Sequence, residues 1–237
     1  MRFIKNFSLR QFYQNNKQLF LFILLMSVFR SAFADWYTVP TGSMQPTIEE
    51  GDRIVVNKMA YDLRLPFSNV SLLNTGEPKH GEIIVFESKA ANMRLIKRVV
   101  GLPGDTIAMK NEVLYINGIA QTYQRSTQNN NLDSNSSQNN HTQNAVTLLN
   151  ENLVDITHQI KIDNNASNQL SSFGPVIVPQ GHYLVLGDNR RHSADSRVYG
   201  FVPREELKGK ATAIAFSVDY DNYYLPKKER FFQSLYL

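Results

Sequence analysis

The sequence predicts a mainly β protein: an antiparallel β domain with an inserted, smaller β appendage, preceded by one N-terminal transmembrane helix. Three observations lead there. Short runs rich in β-branched residues recur between turn signals, with no helix-length apolar repeat after the N-terminus. Residues 121–172 interrupt those runs with a change of composition. A single uncharged apolar run, Leu19 to Phe29, follows Arg2, Lys5, Arg10 and Lys17. The expected organisation is a basic cytoplasmic segment (1–17), an anchor (18–34) and an extracytoplasmic domain (35–237) containing the insertion.

At 237 residues the chain holds one sizeable domain and an appendage. The formal net charge is +4, and the basic residues are scattered rather than gathered in a tract, so nucleic acid is not indicated as a partner. The absence of cysteine excludes disulfides, thiolate catalysis and thiolate metal sites. His80, His141, His158, His182 and His192 show no metal-ligand spacing, so no metal is implied.

The N-terminal run has two readings. The positive flank stays cytoplasmic and sends everything after Ala34 across the membrane, with Trp36 and Tyr37 suited to the outer interface. The uncharged run is short against the roughly 20 residues of a full span and falls in the signal-peptide range. Ala32-Phe33-Ala34 even has the small-x-small form of a cleavage site. Counted from Leu19 through Ala34 with Arg30 snorkelling, however, the segment nearly crosses a bilayer as a retained anchor.

Next comes Thr38-Val39-Pro40-Thr41-Gly42-Ser43-Met44-Gln45-Pro46-Thr47. Two prolines disfavour a long helix and Gly42 supplies a hinge, so Ser43 is presented on a loop. Glu49 to Asp52 reads as a turn, Arg53 to Lys58 as a strand, Pro66 to Gly81 as a surface loop and Glu82 to Phe86 as a strand. In Met93 to Val100, period-two alternation puts Met93, Leu95, Lys97 and Val99 on one face and Arg94 and Arg98 on the other. Gly101 to Asp105 closes that strand. Thr106 to Met109 and Val113 to Ile116 form a hairpin about Lys110-Asn111-Glu112.

Within the insertion, Gln128 to Asn144 lacks the apolar content to offset chain entropy and reads as a loop. Its N-x-S/T matches are what such a composition yields by chance. Val146 to Leu149 and Ile156 to Ile162 read as strands after it. Further strands are expected at Val176 to Val178, Tyr183 to Leu186 and Ala211 to Val218, with a dense polar run, Gly187 to Gly200, after the second.

A serine hydroxyl is a weak nucleophile until a base takes its proton. His192 is one candidate, in a Ser43, His192, Asp195 triad, but Arg190, Arg191 and Arg197 disfavour the imidazolium that a triad must form. Lysine is the alternative: at its ordinary pKa of about 10.4 it is protonated, and burial lowers that value. Lys97 and Lys58 both follow alternating apolar residues, so spacing alone leaves two candidates.

The chain resembles type I signal peptidases, the membrane-bound serine–lysine proteases that remove signal peptides from exported preproteins. The resemblance rests on Pro40 to Thr47, Gly51 to Lys58, Lys97 to Asp105 and Gly187 to Gly200, in family order. It implies Ser43 as nucleophile, Lys97 rather than Lys58 as general base, and Thr41 with the Ser43 N–H as oxyanion hole. Ser193 would orient the lysine, and Asp195 and Arg197 would form a supporting ion pair; His192 receives no role. It also implies a retained anchor, an apolar surface lying on the bilayer and no cofactor. The site would be placed on the outer side of a bacterial inner membrane, in a single-pass protein with a cytoplasmic N-terminus. The implied partners are preproteins with Ala-x-Ala signal peptides, the lipid bilayer and the secretion translocon. Better-known relatives often carry two N-terminal spans, where one is expected here, and some Gram-negative relatives have cysteines in the appendage, where this sequence has none. Two rival readings are a specialised maturation peptidase of a conjugative or secretion system with the same dyad, and a non-catalytic membrane-anchored β binding module.

Overall fold

In a computed structural model of the chain the described residues are 9–68, 70–126, 146–154, 156–220 and 222–236. Arg2 and Lys5 of the basic segment and the Asn/Gln/Ser tract at 128–144 lie outside them.

The first element is a helix, α1 (Leu9–Ala32), with a departure from helical angles at Asn16. Its apolar stretch is exposed from Leu19 to Met26 and at Phe29. The expectation of a transmembrane helix over 18–34 is corrected, because no helix among the described residues is long and apolar enough to cross a membrane. At 1.5 Å per residue, Leu19 to Phe29 rises only about 16 Å, against a hydrocarbon core of roughly 30 Å. The preceding turn carries Gln14, Asn15, Asn16, Lys17 and Gln18. The helix ends where Lys58 donates from Nζ to the Arg30 and Ser31 carbonyls, a cation at the negative end of the dipole.

Strands follow almost without interruption. β1 (Ala34–Thr38), in a stretch where no strand was expected, pairs with β2 (Asp52–Asn57). β3 (Asp62–Arg64) and β4 (Ser71–Asn74) make a two-stranded ribbon, so part of the expected 66–81 loop is an exposed strand. β5 (Ile83–Ser88) pairs in register with β6 (Met93–Gly101). β7 (Thr106–Lys110) and β8 (Val113–Ile116) form the expected hairpin, its Asn111 and Glu112 both at positive φ. β9 (Ile119–Ala120) extends that sheet. β10 (Thr122–Arg125), β11 (Val146–Leu153) and β12 (Ile156–Asp163) form a separate three-stranded sheet from the insertion. β13 (Phe173–Ile177) joins β7, and β14 (His182–Leu186) joins β6. A short helix, α2 (Ser196–Tyr199), precedes β15 (Val202–Pro203) and the long β16 (Leu207–Asp219).

The largest sheet runs β1-β2-β16-β5-β6-β14-β15. Its named pairings are antiparallel, as expected of short strands joined by tight turns. Alternation along β6 separates two parts of the core. Ile96 packs with Val39, Met44, Ile48 and Ile54, while Leu95 and Val99 pack with Tyr61, Ile84, Phe86 and Tyr183. Three segments meet around this strand: the β1–β2 loop, β6 itself, and the loop that leaves β14 opposite Arg98.

Candidate active site

Ser43 lies in a single 3-10 turn, Gly42–Met44, entered from an extended Thr41. Met44 is buried among Val39, Ile48 and Ile54, and this apolar anchor fixes the turn from below. Thr41 spends no side-chain hydrogen bond on capping the turn. Thr41, Ser43, Met44, Leu95, Ile96 and Lys97 line one cavity of about 230 Å³.

Lys97 is 2% exposed, and its Nζ is 2.7 Å from Ser43 Oγ and 3.0 Å from the Ile96 carbonyl oxygen. Burial disfavours the ammonium. Asp195 and Asp188 pull the other way and Arg197 adds to the depression, leaving the pKa lowered from 10.5 to about 8. About a tenth of the amine is therefore neutral at pH 7, with its lone pair beside a hydroxyl. Lys58 has none of these features. It is tied to Asp35 at 3.1 Å and to the end of α1, so tertiary packing separates two lysines that alternation leaves equivalent.

The Gly187–Gly200 segment supports this pair. Gly187 allows the closest approach: a Cβ there would lie 2.2 Å from Ser193 Oγ and 2.5 Å from the Ser43 carbonyl oxygen. Asp195 pairs with Arg197 at 2.7 Å, accepts the Gly187 N–H at 3.0 Å and caps α2 through the Arg197 N–H. Burial would raise the Asp195 pKa, but the Arg197 guanidinium outweighs it and holds the carboxyl below its ordinary value. Arg197 also reaches the Arg190 and Leu170 carbonyls. Ser193 Oγ is buried beside Gly187, and its side chain helps to hold the Asp195 carboxyl below its ordinary pKa. His192 lines the rim of the same cavity but its Nε2 faces Asp163 at 2.9 Å, not Ser43.

Beneath the site lies an ionic network that sequence reasoning did not find. Arg98, 1% exposed, grips Asp188 through Nε and Nη2 at 2.8 and 2.6 Å. Thr47 donates to the same carboxylate at 2.5 Å. Arg190 pairs with Glu151, which also accepts from Tyr123 at 2.5 Å and lies 3.0 Å from His158 Nε2. Asn189 ties the network to the Ser43 turn: its N–H donates to the Ser43 carbonyl at 3.1 Å and its Nδ2 to the Gly42 carbonyl at 3.0 Å. Dense charge in Gly187–Gly200 was the available signal; its partners lie far off in sequence.

A serine oxygen and a desolvated lysine amine at hydrogen-bond distance, opening on an apolar groove, make the arrangement of a serine–lysine hydrolase. The chain belongs to the signal peptidase family, peptidase S26, whose model matches residues 13–216. It is 34% identical over 215 residues to signal peptidase I of Pseudomonas aeruginosa, covering 85% of this chain and 71% of that protein. It is 33% identical over 230 residues to signal peptidase I of Aquifex aeolicus, covering 84% of this chain and 82% of the other. A crystal structure of a signal peptidase I from Enterococcus faecalis is 30% identical and covers 57% of this chain and 97% of its own, with a TM-score of 0.34.

Proposed function

We propose that this peptidase cleaves signal peptides from exported preproteins with Ser43 as nucleophile and Lys97 as general base. The observation that carries the reading is the 2.7 Å contact between the Lys97 amine and the Ser43 hydroxyl, in a setting that lowers the amine's pKa to about 8. Neutral Lys97 takes the Ser43 proton as Oγ attacks the substrate carbonyl. The Ser43 N–H and Thr41 hydroxyl receive the developing oxyanion; each such donor contributes about 3 kcal/mol. The Lys97 ammonium then protonates the leaving amine, and water repeats the sequence on the acyl-enzyme. Asp195 and Arg197 keep the Gly187–Ser193 segment against the nucleophile turn, and Ser193 fills the space beside Gly187. Small apolar walls at Met44, Leu95 and Ile96 favour alanine-sized side chains at −1 and −3, the Ala-x-Ala pattern.

The reading also places the enzyme on the outer face of a bacterial cytoplasmic membrane, near the secretion translocon. The exposed apolar stretch of α1, flanked by Lys17 and Arg30 and followed by exposed Trp36, supports attachment with the apolar residues embedded in the bilayer. The test is cleavage of an Ala-x-Ala preprotein in detergent or vesicles, with N-terminal mass spectrometry of the product. Release of the mature chain by the wild type and none by Ser43→Ala is expected. An active Ser43→Ala variant removes the mechanism. Broad preprotein accumulation on depletion separates a general enzyme from a specialist.

A further inference from the structure

The insertion supplies a lysine that reaches the nucleophile turn. On β12, the Lys161 N–H donates to the Asp188 carbonyl and the Lys161 carbonyl accepts the Arg190 N–H, both at 2.9 Å, so the strand brackets Asn189. The Lys161 side chain continues to Gln45, its Nζ donating to Oε1 at 2.9 Å. Gln45 in turn lies flat on the hinge glycine: a Cβ on Gly42 would sit 3.0 Å from Gln45 Cδ and Nε2. Lys161 thus grips both sides of the Ser43 turn. Its backbone fixes the residue that holds the Gly42 and Ser43 carbonyls, and its ammonium pins the side chain stacked on Gly42.

The hairpin is well seated for this task. Arg190, next to the bracketed Asn189, is buried and paired with Glu151 of β11; Glu151 is fully buried and also held by Tyr123 of β10. A buried charge pair is expensive to separate, so the β10–β11–β12 sheet is kept in place against the 188–190 segment. A hydrogen bond from a rigidly seated ammonium then transmits that position to the side of the turn where Gly42 leaves the backbone its greatest freedom.

We propose that Lys161 is a positioning residue for the nucleophile, acting through Gln45, and that the insertion is a brace of the catalytic turn. The proposal rests on the peptidase reading above. Lys161 touches no reacting atom, so it acts on the orientation of Ser43 Oγ toward Lys97, where small misplacements cost large factors in rate.

The experiment uses the full-length chain on a signal-peptide substrate and compares Lys161→Met, Lys161→Arg, Gln45→Leu and the double variant Lys161→Met/Gln45→Leu. Lys161→Met is expected to lower kcat about tenfold, with KM within about twofold of wild type and Tm nearly unchanged. Lys161→Arg restores most of kcat because it keeps a donor to Gln45 Oε1. Gln45→Leu matches the loss, and the double variant loses no more than either single one. Unchanged kcat, a loss confined to KM, or additive losses in the double variant would each overturn the proposal. Should Lys161→Met not fold, Gln45→Leu decides alone: wild-type kcat there overturns it. A wild-type enzyme that cleaves nothing fails the peptidase reading instead, which keeps the two failures distinct.

Discussion

Lys97 shows how position prepares an ordinary side chain for the role of base proposed for it. Its amine has a pKa near 8 in the folded protein against 10.5 as its ordinary value, chiefly because it is buried. Below pH 8, kcat/KM should therefore rise about tenfold per pH unit and level off above it, as a pH–rate profile will show. Lys97→Met should lose about a thousandfold or more in kcat, without rescue at high pH. Stability carries the same signature. Between pH 8 and about 10.5 the unfolded chain holds a proton on residue 97 that the folded chain has lost, so stability rises across that window. Urea titrations should show this rise in the wild type and its absence in Lys97→Met; equal slopes would mean the amine is solvated. Gly187 is equally local. Gly187→Ala drives a methyl into Ser193 and the Ser43 carbonyl, and should cost about 1–3 kcal/mol in stability and a larger share of kcat than of KM.

At the scale of elements, β6 and the β14 loop are joined by Arg98 and Asp188, both fully buried. Burial alone would raise the Asp188 pKa, yet the adjacent Arg98 guanidinium keeps it below its ordinary value. Arg98→Met removes the partner and leaves a buried carboxylate, a change expected to cost about 3–5 kcal/mol by urea unfolding. Arg98→Met/Asp188→Leu should recover much of that loss, because removing both charges also removes the desolvation penalty. If the double variant is less stable than the single one, the pair contributes more than mutual compensation. The same reasoning explains why the insertion cannot be a passive appendage: Glu151 lies on it, and Arg190 would be stranded without it.

For the whole molecule, the apolar surface of α1 is left exposed by the described residues, and exposed Trp36 follows it at the start of the β domain. The bilayer attachment proposed above would cover it without requiring a span. Phe22→Asp/Leu24→Asp, both at exposed helical positions, should reduce flotation with phosphatidylcholine–phosphatidylglycerol vesicles by about tenfold or more while leaving hydrolysis of a soluble peptide intact. Unchanged flotation would place the membrane contact on another face. The candidate groove and α1 are joined through β1, which runs from the helix end to the Ser43 loop, so the proposed attachment and the proposed chemistry share one strand.

The amino-acid sequence by itself determined the β class, most strand positions, the Ser43 loop and the odd lysine on the Met93–Val99 face. Alternation and turn chemistry are local properties, and they survive translation into structure nearly residue by residue. Only the tertiary structure brought Lys97 against Ser43 while tying Lys58 to Asp35, and turned His192 toward Asp163. It also assembled Arg98, Asp188, Glu151, Arg190 and Lys161 around the nucleophile turn. The physical reason is that desolvation and ion pairing depend on which distant segments pack together. No spacing rule along the chain carries that information.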